Sequence, residues 1–294
     1  MTLRVLVTGA NKGIGFAIVS AILEARSDTF VLLGSRDVDR GRVARDALTR
    51  EHPDWERRLE LVHLDVASDA SVSAAAESVR SAFGPEPAPL YAIVNNAGVG
   101  DGDLRAVLSV NTLGMRRVCE AFLPLLDPQR GRIVNVTSAA GPSFVARCSP
   151  ERQRFFTNPS ITWRELEAAI AECVELAGNA AAFAAKGLAN GEAYGLSKAL
   201  ANSYTLLLAR LHPNLKINAC TPGFIETDLT RGYAKTQGKT PAEMGMKPPA
   251  EAARAPLFLL FGELEGSGYY YGSDARRSPL DRYRSPGTEP YRGD

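Results

Sequence analysis

Thr8-Gly-Ala-Asn-Lys-Gly-Ile-Gly15, following directly on the apolar run Leu3-Arg-Val-Leu-Val7, decides the fold. A β-branched run, then glycines at 9, 13 and 15, then an amphipathic stretch from Ile14 to Ala25 reads as strand, tight turn and helix. Glycines at such a turn let the backbone approach a pyrophosphate closely and let the helix pack against the strand. The helix start adds unpaired N–H groups and a positive dipole end. Gly9, Asn11, Lys12, Gly13, Ile14 and Gly15 are therefore candidate walls of a dinucleotide cradle.

The same alternation continues along the chain. Apolar runs at Val5 to Thr8, Phe30 to Gly34, Leu59 to Leu64, Ala92 to Asn95, Ile133 to Thr137 and Ile217 to Thr221 are polar only at their ends, as buried parallel strands are. Between them lie the amphipathic segments Ile14 to Ala25, Asp39 to Arg50, Ala70 to Phe83 and Val107 to Leu126. This βαβα order predicts an α/β fold, a doubly wound parallel sheet of the Rossmann type with helices on both faces. The single domain is expected to span 1–272.

One stretch breaks the rhythm. An insertion of about 141–192 separates a strand from the helix that carries Tyr194, where a short connection would do. Within it Thr162-Trp-Arg-Glu165 has the form of a reciprocal capping box, and Leu166, Ile170, Val174 and Ala177 keep helical spacing, so a helix is predicted from Trp163 to about Ala177. Tyr269-Tyr-Tyr271 reads as a last strand. Residues 273–294, rich in Arg, Ser, Pro and Gly, are expected to be a disordered tail.

Composition narrows the function classes. With 34 Lys plus Arg against 33 Asp plus Glu, no strong field draws the chain to nucleic acid or an anionic membrane, and a small-molecule partner is expected. Cys119, Cys148, Cys173 and Cys220 lack the spacing of a zinc site, as do His52, His63 and His212, so no metal is expected. No apolar run approaches transmembrane length, and strand-like Leu3 to Val7 begins almost at the first Met. A cytoplasmic location is the expectation.

The cofactor choice rests on charge. Where an NAD-binding chain carries an acid about 20 residues beyond the glycine turn, this one has Ser35 followed by Arg36. A guanidinium there welcomes a ribose 2′-phosphate, and Lys12 offers a second cation, so NADPH is favoured over NADH. Asp37, one position further, is the competing group: a strand ending a residue or two later would bring it to the ribose instead.

Tyr194 and Lys198 lie four apart in the helical stretch Glu192 to Leu211, one turn apart on one face. A neighbouring ammonium and a nicotinamide cation together are expected to stabilise the phenolate, lower the phenol's pKa and make Tyr194 a competent general acid. Ser138, just past a strand end, is placed to hydrogen-bond a carbonyl oxygen on which charge grows during hydride attack. Asn95-Asn-Ala-Gly98 ends another strand at the same rim, and Asn111 is a poor helix former where a side-chain amide can hold a water.

Taken in order, Thr-Gly-x3-Gly-x-Gly, Asn-Asn-Ala-Gly, Asn, Ser, Tyr-x3-Lys and Pro-Gly resemble the short-chain dehydrogenases/reductases, from about Leu3 to Tyr271. The resemblance implies that Tyr194 is the general acid, Lys198 lowers its pKa and binds the nicotinamide ribose, Ser138 orients the carbonyl and Asn111 holds a proton-relay water. It also implies cofactor contacts from Asp65, Val66, Asn95, Ala97, Gly98, Pro222, Gly223 and Thr227. The insertion, opened by Cys148-Ser-Pro-Glu151, looks like that of the monomeric NADPH-dependent carbonyl reductases and implies a monomer. The connection from Asn95 to Asn111 is shorter than in that family, which bears on substrate identity rather than on hydride chemistry. Phe224 and Phe144 are candidate substrate walls, each equally suited to core packing. The expected activity is NADPH-dependent reduction of a ketone, aldehyde or quinone. A dedicated biosynthetic or steroid-type dehydrogenase and a non-catalytic NADPH-binding sensor stand as rivals.

Overall fold

Side chains alternate across the strands so that both faces of the sheet are apolar, and that alternation puts helices on both. Residues 2–84 and 88–293 are described by a computed structural model. The elements run β1 (Leu3–Val7), α1 (Gly13–Ala25), β2 (Thr29–Ser35), α2 (Val38–Glu51), β3 (Leu59–His63), α3 (Asp69–Phe83), β4 (Ala92–Asn95), α4 (Leu104–Asn111), α5 (Leu113–Phe122) and β5 (Arg132–Val136). They continue α6 (Ala140–Val145), α7 (Pro150–Phe156), α8 (Trp163–Glu175), α9 (Ala180–Ala185), α10 (Ala193–Leu211), β6 (Lys216–Cys220), α11 (Asp228–Thr236), α12 (Arg254–Phe261), β7 (Tyr270–Tyr271) and β8 (Arg277–Ser278).

The eight strands lie in the order β3-β2-β1-β4-β5-β6-β7-β8, parallel except for β8. Val5, Val7, Val31, Leu33, Ala92 and Val94 pack with α1, α2 and α12, while Leu6, Leu32, Ile93 and Ile133 pack with α3, α5 and α10. This two-residue parity is that of a doubly wound sheet. The order reverses between β1 and β4, so their carboxyl ends flank the ligand crevice.

The insertion folds as short helices, the longest being α8, whose start carries the expected reciprocal cap between Thr162 and Glu165. Trp163 anchors α8, lying 3.7 Å from the Arg116 guanidinium on α5 and edge-on to Tyr204 on α10.

Two expectations are corrected here. The predicted single helix from Val107 to Leu126 divides at Thr112, whose hydroxyl donates to the Ser197 carbonyl at 3.0 Å. The stretch from 273 on is not a disordered tail: it forms β8 and folds back on itself, with Asp274 and Arg284 joined in a buried ion pair. The sequence pattern missed this because the pairing joins two polar residues ten apart, and no apolar period announces it.

Candidate active site

Everything in the site hangs from strand ends at the carboxyl rim. Thr8 leaves β1 and its hydroxyl accepts the N–H groups of Asn96 and Ala97, each at 3.0 Å. Asn96 returns two bonds from Nδ2, to the carbonyls of Thr8 at 2.9 Å and Gly9 at 3.1 Å. The turn is thereby fixed to the end of β4. Gly9 has a φ of 62°, and a Cβ there would lie 2.9 Å from the Ala97 Cα, so this position needs glycine twice over.

Beyond the turn, Asn11, Lys12, Gly13 and Ile14 are all at least partly open to solvent. No side chain caps α1 and its first turn holds no acid, which leaves its N–H groups for an anion. A dinucleotide pyrophosphate fits such a cradle.

At the adenosine end, β2 stops at Ser35 and Arg36 is exposed. Asp37 is spent on α2: its carboxylate caps the helix through the Arg40 N–H at 3.0 Å and faces the Arg40 guanidinium at 3.5 Å. That N–H bond, more than the guanidinium, holds its carboxyl below the usual carboxylate range. Lys12 pairs with Asp228 at the start of α11 at 2.5 Å, and Arg40 and Arg231 add to the positive field on that carboxylate. Arg40, in the first turn of α2 and four residues after Arg36 in sequence, is a cation that sequence reading passed over.

Asp65 and Val66 follow β3. Asp65 closes a local turn through the Ala67 N–H at 3.0 Å, and Val66 is buried against Gly114.

The chemistry-bearing groups converge opposite the glycine turn. Ser138 follows β5, its Oγ accepting the Ala140 N–H at 3.1 Å and lying near enough to the Tyr194 phenol to oppose the rise in its proton affinity. Lys198, 4% exposed, donates from Nζ to the Val136 carbonyl at 3.3 Å and sits 5.7 Å from the centre of the Tyr194 ring. A Cβ on Gly98 would be 3.3 Å from both Lys198 Nζ and Asn111 Oδ1, so a side chain here would crowd both groups.

Burial decides the proton affinities. It pushes the Tyr194 phenol above its ordinary value, a rise that the Ser138 hydroxyl opposes and the Glu192 charge adds to. It pulls the Lys198 ammonium down from 10.5 to about 8. In the protein alone burial is the largest influence on the Tyr194 phenol, and the expected acidification rests on the nicotinamide cation as well as on Lys198.

Several expected site residues take other places. Asn95 faces away from the crevice, donating to Asn135 Oδ1 at 2.9 Å and to Cys119 Sγ at 3.2 Å beneath the sheet. The side chain that reaches the glycine turn is that of Asn96. Asn111 spends both Nδ2 hydrogens, on the Val99 carbonyl at 2.9 Å and Ser197 Oγ at 3.0 Å, and takes the Val99 N–H on Oδ1. Its amide thus frames the loop after Gly98 instead of donating to a water.

Phe144 is fully buried and packs edge-on against Phe156, which makes it core rather than substrate wall. Phe224 is 39% exposed beside Pro222-Gly223. Thr227 caps α11 and lies over the glycine turn, its methyl 3.4 Å from where a Gly13 Cβ would stand. Among the described residues no group of His, Cys, Asp or Glu side chains is arranged to hold a metal, and no helix is long and apolar enough to cross a membrane.

A dinucleotide cradle facing a Ser, Tyr and Lys set at the rim of a doubly wound sheet defines a class of nicotinamide oxidoreductases. The chain belongs to the short-chain dehydrogenase family, whose sequence profile matches residues 4–150. It is 32% identical to (+)-neomenthol dehydrogenase of Arabidopsis thaliana over 85% of this chain and 91% of that one. Carbonyl reductase [NADPH] 1 of Sus scrofa is 34% identical over 85% and 86% of the two chains. The solved menthone neomenthol reductase from Mentha piperita superposes with a TM-score of 0.75 at 27% identity, covering 93% of this chain and 99% of its own.

Proposed function

We propose that the protein is an NADPH-dependent carbonyl reductase that converts a ketone, aldehyde or quinone carbonyl to an alcohol, acting as a cytoplasmic monomer. The observation that carries this is the meeting of the Ser138 hydroxyl, Tyr194 phenol and Lys198 ammonium at the rim facing the glycine turn. Bound NADPH supplies the hydride. Ser138 and Tyr194 hold the carbonyl oxygen between two hydroxyl donors, and Tyr194 Oη gives that oxygen its proton. A phenol held above its ordinary value stays protonated throughout the neutral range, so the acid form is always ready for reduction. Lys198, fixed by the Val136 carbonyl, offsets the charge left on the phenol oxygen.

Preference for a 2′-phosphate is supported by the exposed Arg36 after β2, by Lys12 and Arg40, whose charges both act on Asp228, and by Asp37 being committed to capping α2. The names of the carbonyl reductase relatives agree with it. The monomer reading is supported by α8, which covers α5 and α10 with Trp163. Tyr194→Phe should cut NADPH oxidation with an aromatic ketone by about 10³-fold while NADPH binding, read by fluorescence titration, stays nearly unchanged. Undiminished turnover would remove the phenol from the mechanism.

A further inference from the structure

We propose that Ser197 is a positioning residue of the reaction, its hydroxyl coupling the loop after Gly98 to the turn of α10 that carries Tyr194 and Lys198. The proposal rests on the reductase reading and adds to it a residue that acts through the phenol and the ammonium. A serine inside a helix ordinarily spends its hydroxyl on a carbonyl one turn back. Ser197 does so, donating from Oγ to the Tyr194 carbonyl at 2.8 Å. The same Oγ also accepts Asn111 Nδ2 at 3.0 Å, from the last residue of α4 and 86 positions away in sequence.

The far end of these bonds gives them a use. Asn111 holds both polar backbone atoms of Val99, taking its N–H on Oδ1 and donating from Nδ2 to its carbonyl, each at 2.9 Å. Gly98, just before, lies where a Cβ would be 3.3 Å from Asn111 Oδ1 and from Lys198 Nζ, so loop, amide and ammonium share one small space. Hydrogen bonds therefore run without a gap from Val99 through Asn111 and Ser197 to the backbone of Tyr194. Ser197 is fully buried, and water offers no substitute for any of them.

A second bond to the same residue supplies the control. The Ser197 carbonyl accepts the Thr112 hydroxyl at 3.0 Å, where α4 gives way to α5. That bond ties the helices together but does not pass through the Ser197 side chain. Loss of the Ser197 hydroxyl leaves the backbone bonds of α10 in place while freeing Asn111 Nδ2, and with it the seat of Val99 and of the Lys198 ammonium. A misplacement of about 1 Å at reacting atoms can cost roughly 100-fold in rate. An anchor lost three residues from Tyr194 and one from Lys198 should cost about tenfold, and on kcat, because the geometry it guards is that of proton and hydride transfer.

The test sets Ser197→Ala beside Thr112→Val in the NADPH-loaded full chain, with α-tetralone as substrate. Each removes one 3.0 Å bond to residue 197, and only the first interrupts the link to Tyr194. Ser197→Ala should lower kcat about tenfold with KM nearly unchanged, and Ser197→Thr, which keeps the hydroxyl, should restore most of it. Thr112→Val should lower the melting temperature and leave kcat as in the wild type. Equal loss of kcat in the alanine and valine variants, a raised KM at unchanged kcat, or no recovery with threonine would overturn the assignment. If the wild type reduces no aromatic ketone, aldehyde or quinone, the reductase reading itself fails. Amide exchange in the ligand-free chain then decides the coupling alone: the Val99 N–H should exchange about fivefold faster in Ser197→Ala and at the wild-type rate in Thr112→Val. An unchanged Val99 rate in Ser197→Ala overturns it.

Discussion

Lys198→Met should make the ligand-free protein more stable while abolishing its turnover. Lys198 is 4% exposed, its only hydrogen bond among the described residues runs to the Val136 carbonyl at 3.3 Å, and burial lowers it from 10.5 to about 8. A depression of that size costs the folded state about 3 kcal/mol wherever the group is charged in both states. The full cost applies below pH 8. Between about 8 and 10.5 the native state sheds the proton that the unfolded chain keeps, so wild-type stability climbs with pH through that window. Methionine carries no charge and shows no such climb. Urea unfolding followed by circular dichroism should therefore find the variant more stable by about 2 to 3 kcal/mol at pH 7, with the gap shrinking by pH 9.5. In a melt at pH 7 the same gap corresponds to roughly 5 °C. Tyrosines titrating at high pH are common to both proteins and cancel in the difference. A gap that does not vary with pH, or a variant weaker than wild type at pH 7, would refute the idea that a buried charge at this position is held against a desolvation cost.

Gly9→Ala should weaken NADPH binding and lower stability by about 1 to 3 kcal/mol, since it combines a left-handed backbone with a methyl pressed on Ala97; unchanged affinity in a dinucleotide titration would count against the cradle. Asp228→Asn frees Lys12 from its exposed pair and should tighten binding of 2′,5′-ADP by up to about fivefold, with 5′-AMP unaffected; equal tightening of both nucleotides would separate Asp228 from the phosphate site. Reduction should be level from pH 6 to 7.5 and fall as Lys198 loses its charge near 8, whereas oxidation of the alcohol should rise with pH because it needs the Tyr194 phenolate that burial disfavours. Parallel pH profiles in the two directions would contradict these assignments.

The fold was legible because its signal is periodic. Each strand expected from an apolar run is present, and α8 begins at the residue its capping box marks. Departures fall where a long-range polar contact overrides local pattern. Thr112 breaks a helix to reach Ser197, and Arg284 folds the C-terminal stretch back onto Asp274. Neither partner can be named from spacing, since the bonds cross 85 and 10 residues. Proton affinities were equally hidden: the fourfold spacing of Tyr194 and Lys198 is visible in the sequence, but the burial that sets their pKa values is a property of the packed site.

The exchange of Asn95 for Asn96 shows how finely a strand end must be read. Along β4, Ile93 packs toward α10 and Val94 toward α1, so the next residue, Asn95, points beneath the sheet. There it joins Cys119 on one side and Asn135 on the other, and Asn135 continues to Thr205 at 2.9 Å. Asn96, one step on, has left the strand on the opposite side and meets the glycine turn. Two adjacent amides thus serve two layers, one tying β4 and β5 to the helices below and the other tying β4 to the cradle above. A rule that the carboxyl ends of strands face the ligand is therefore incomplete without parity. In β5, Val136 shares the α1-side layer with Val134, and its carbonyl accepts from Lys198 before the chain turns to place Ser138 at the crevice. Counting forward from the last residue whose packing layer is certain, not from the end of the apolar run, tells which polar side chain reaches the site.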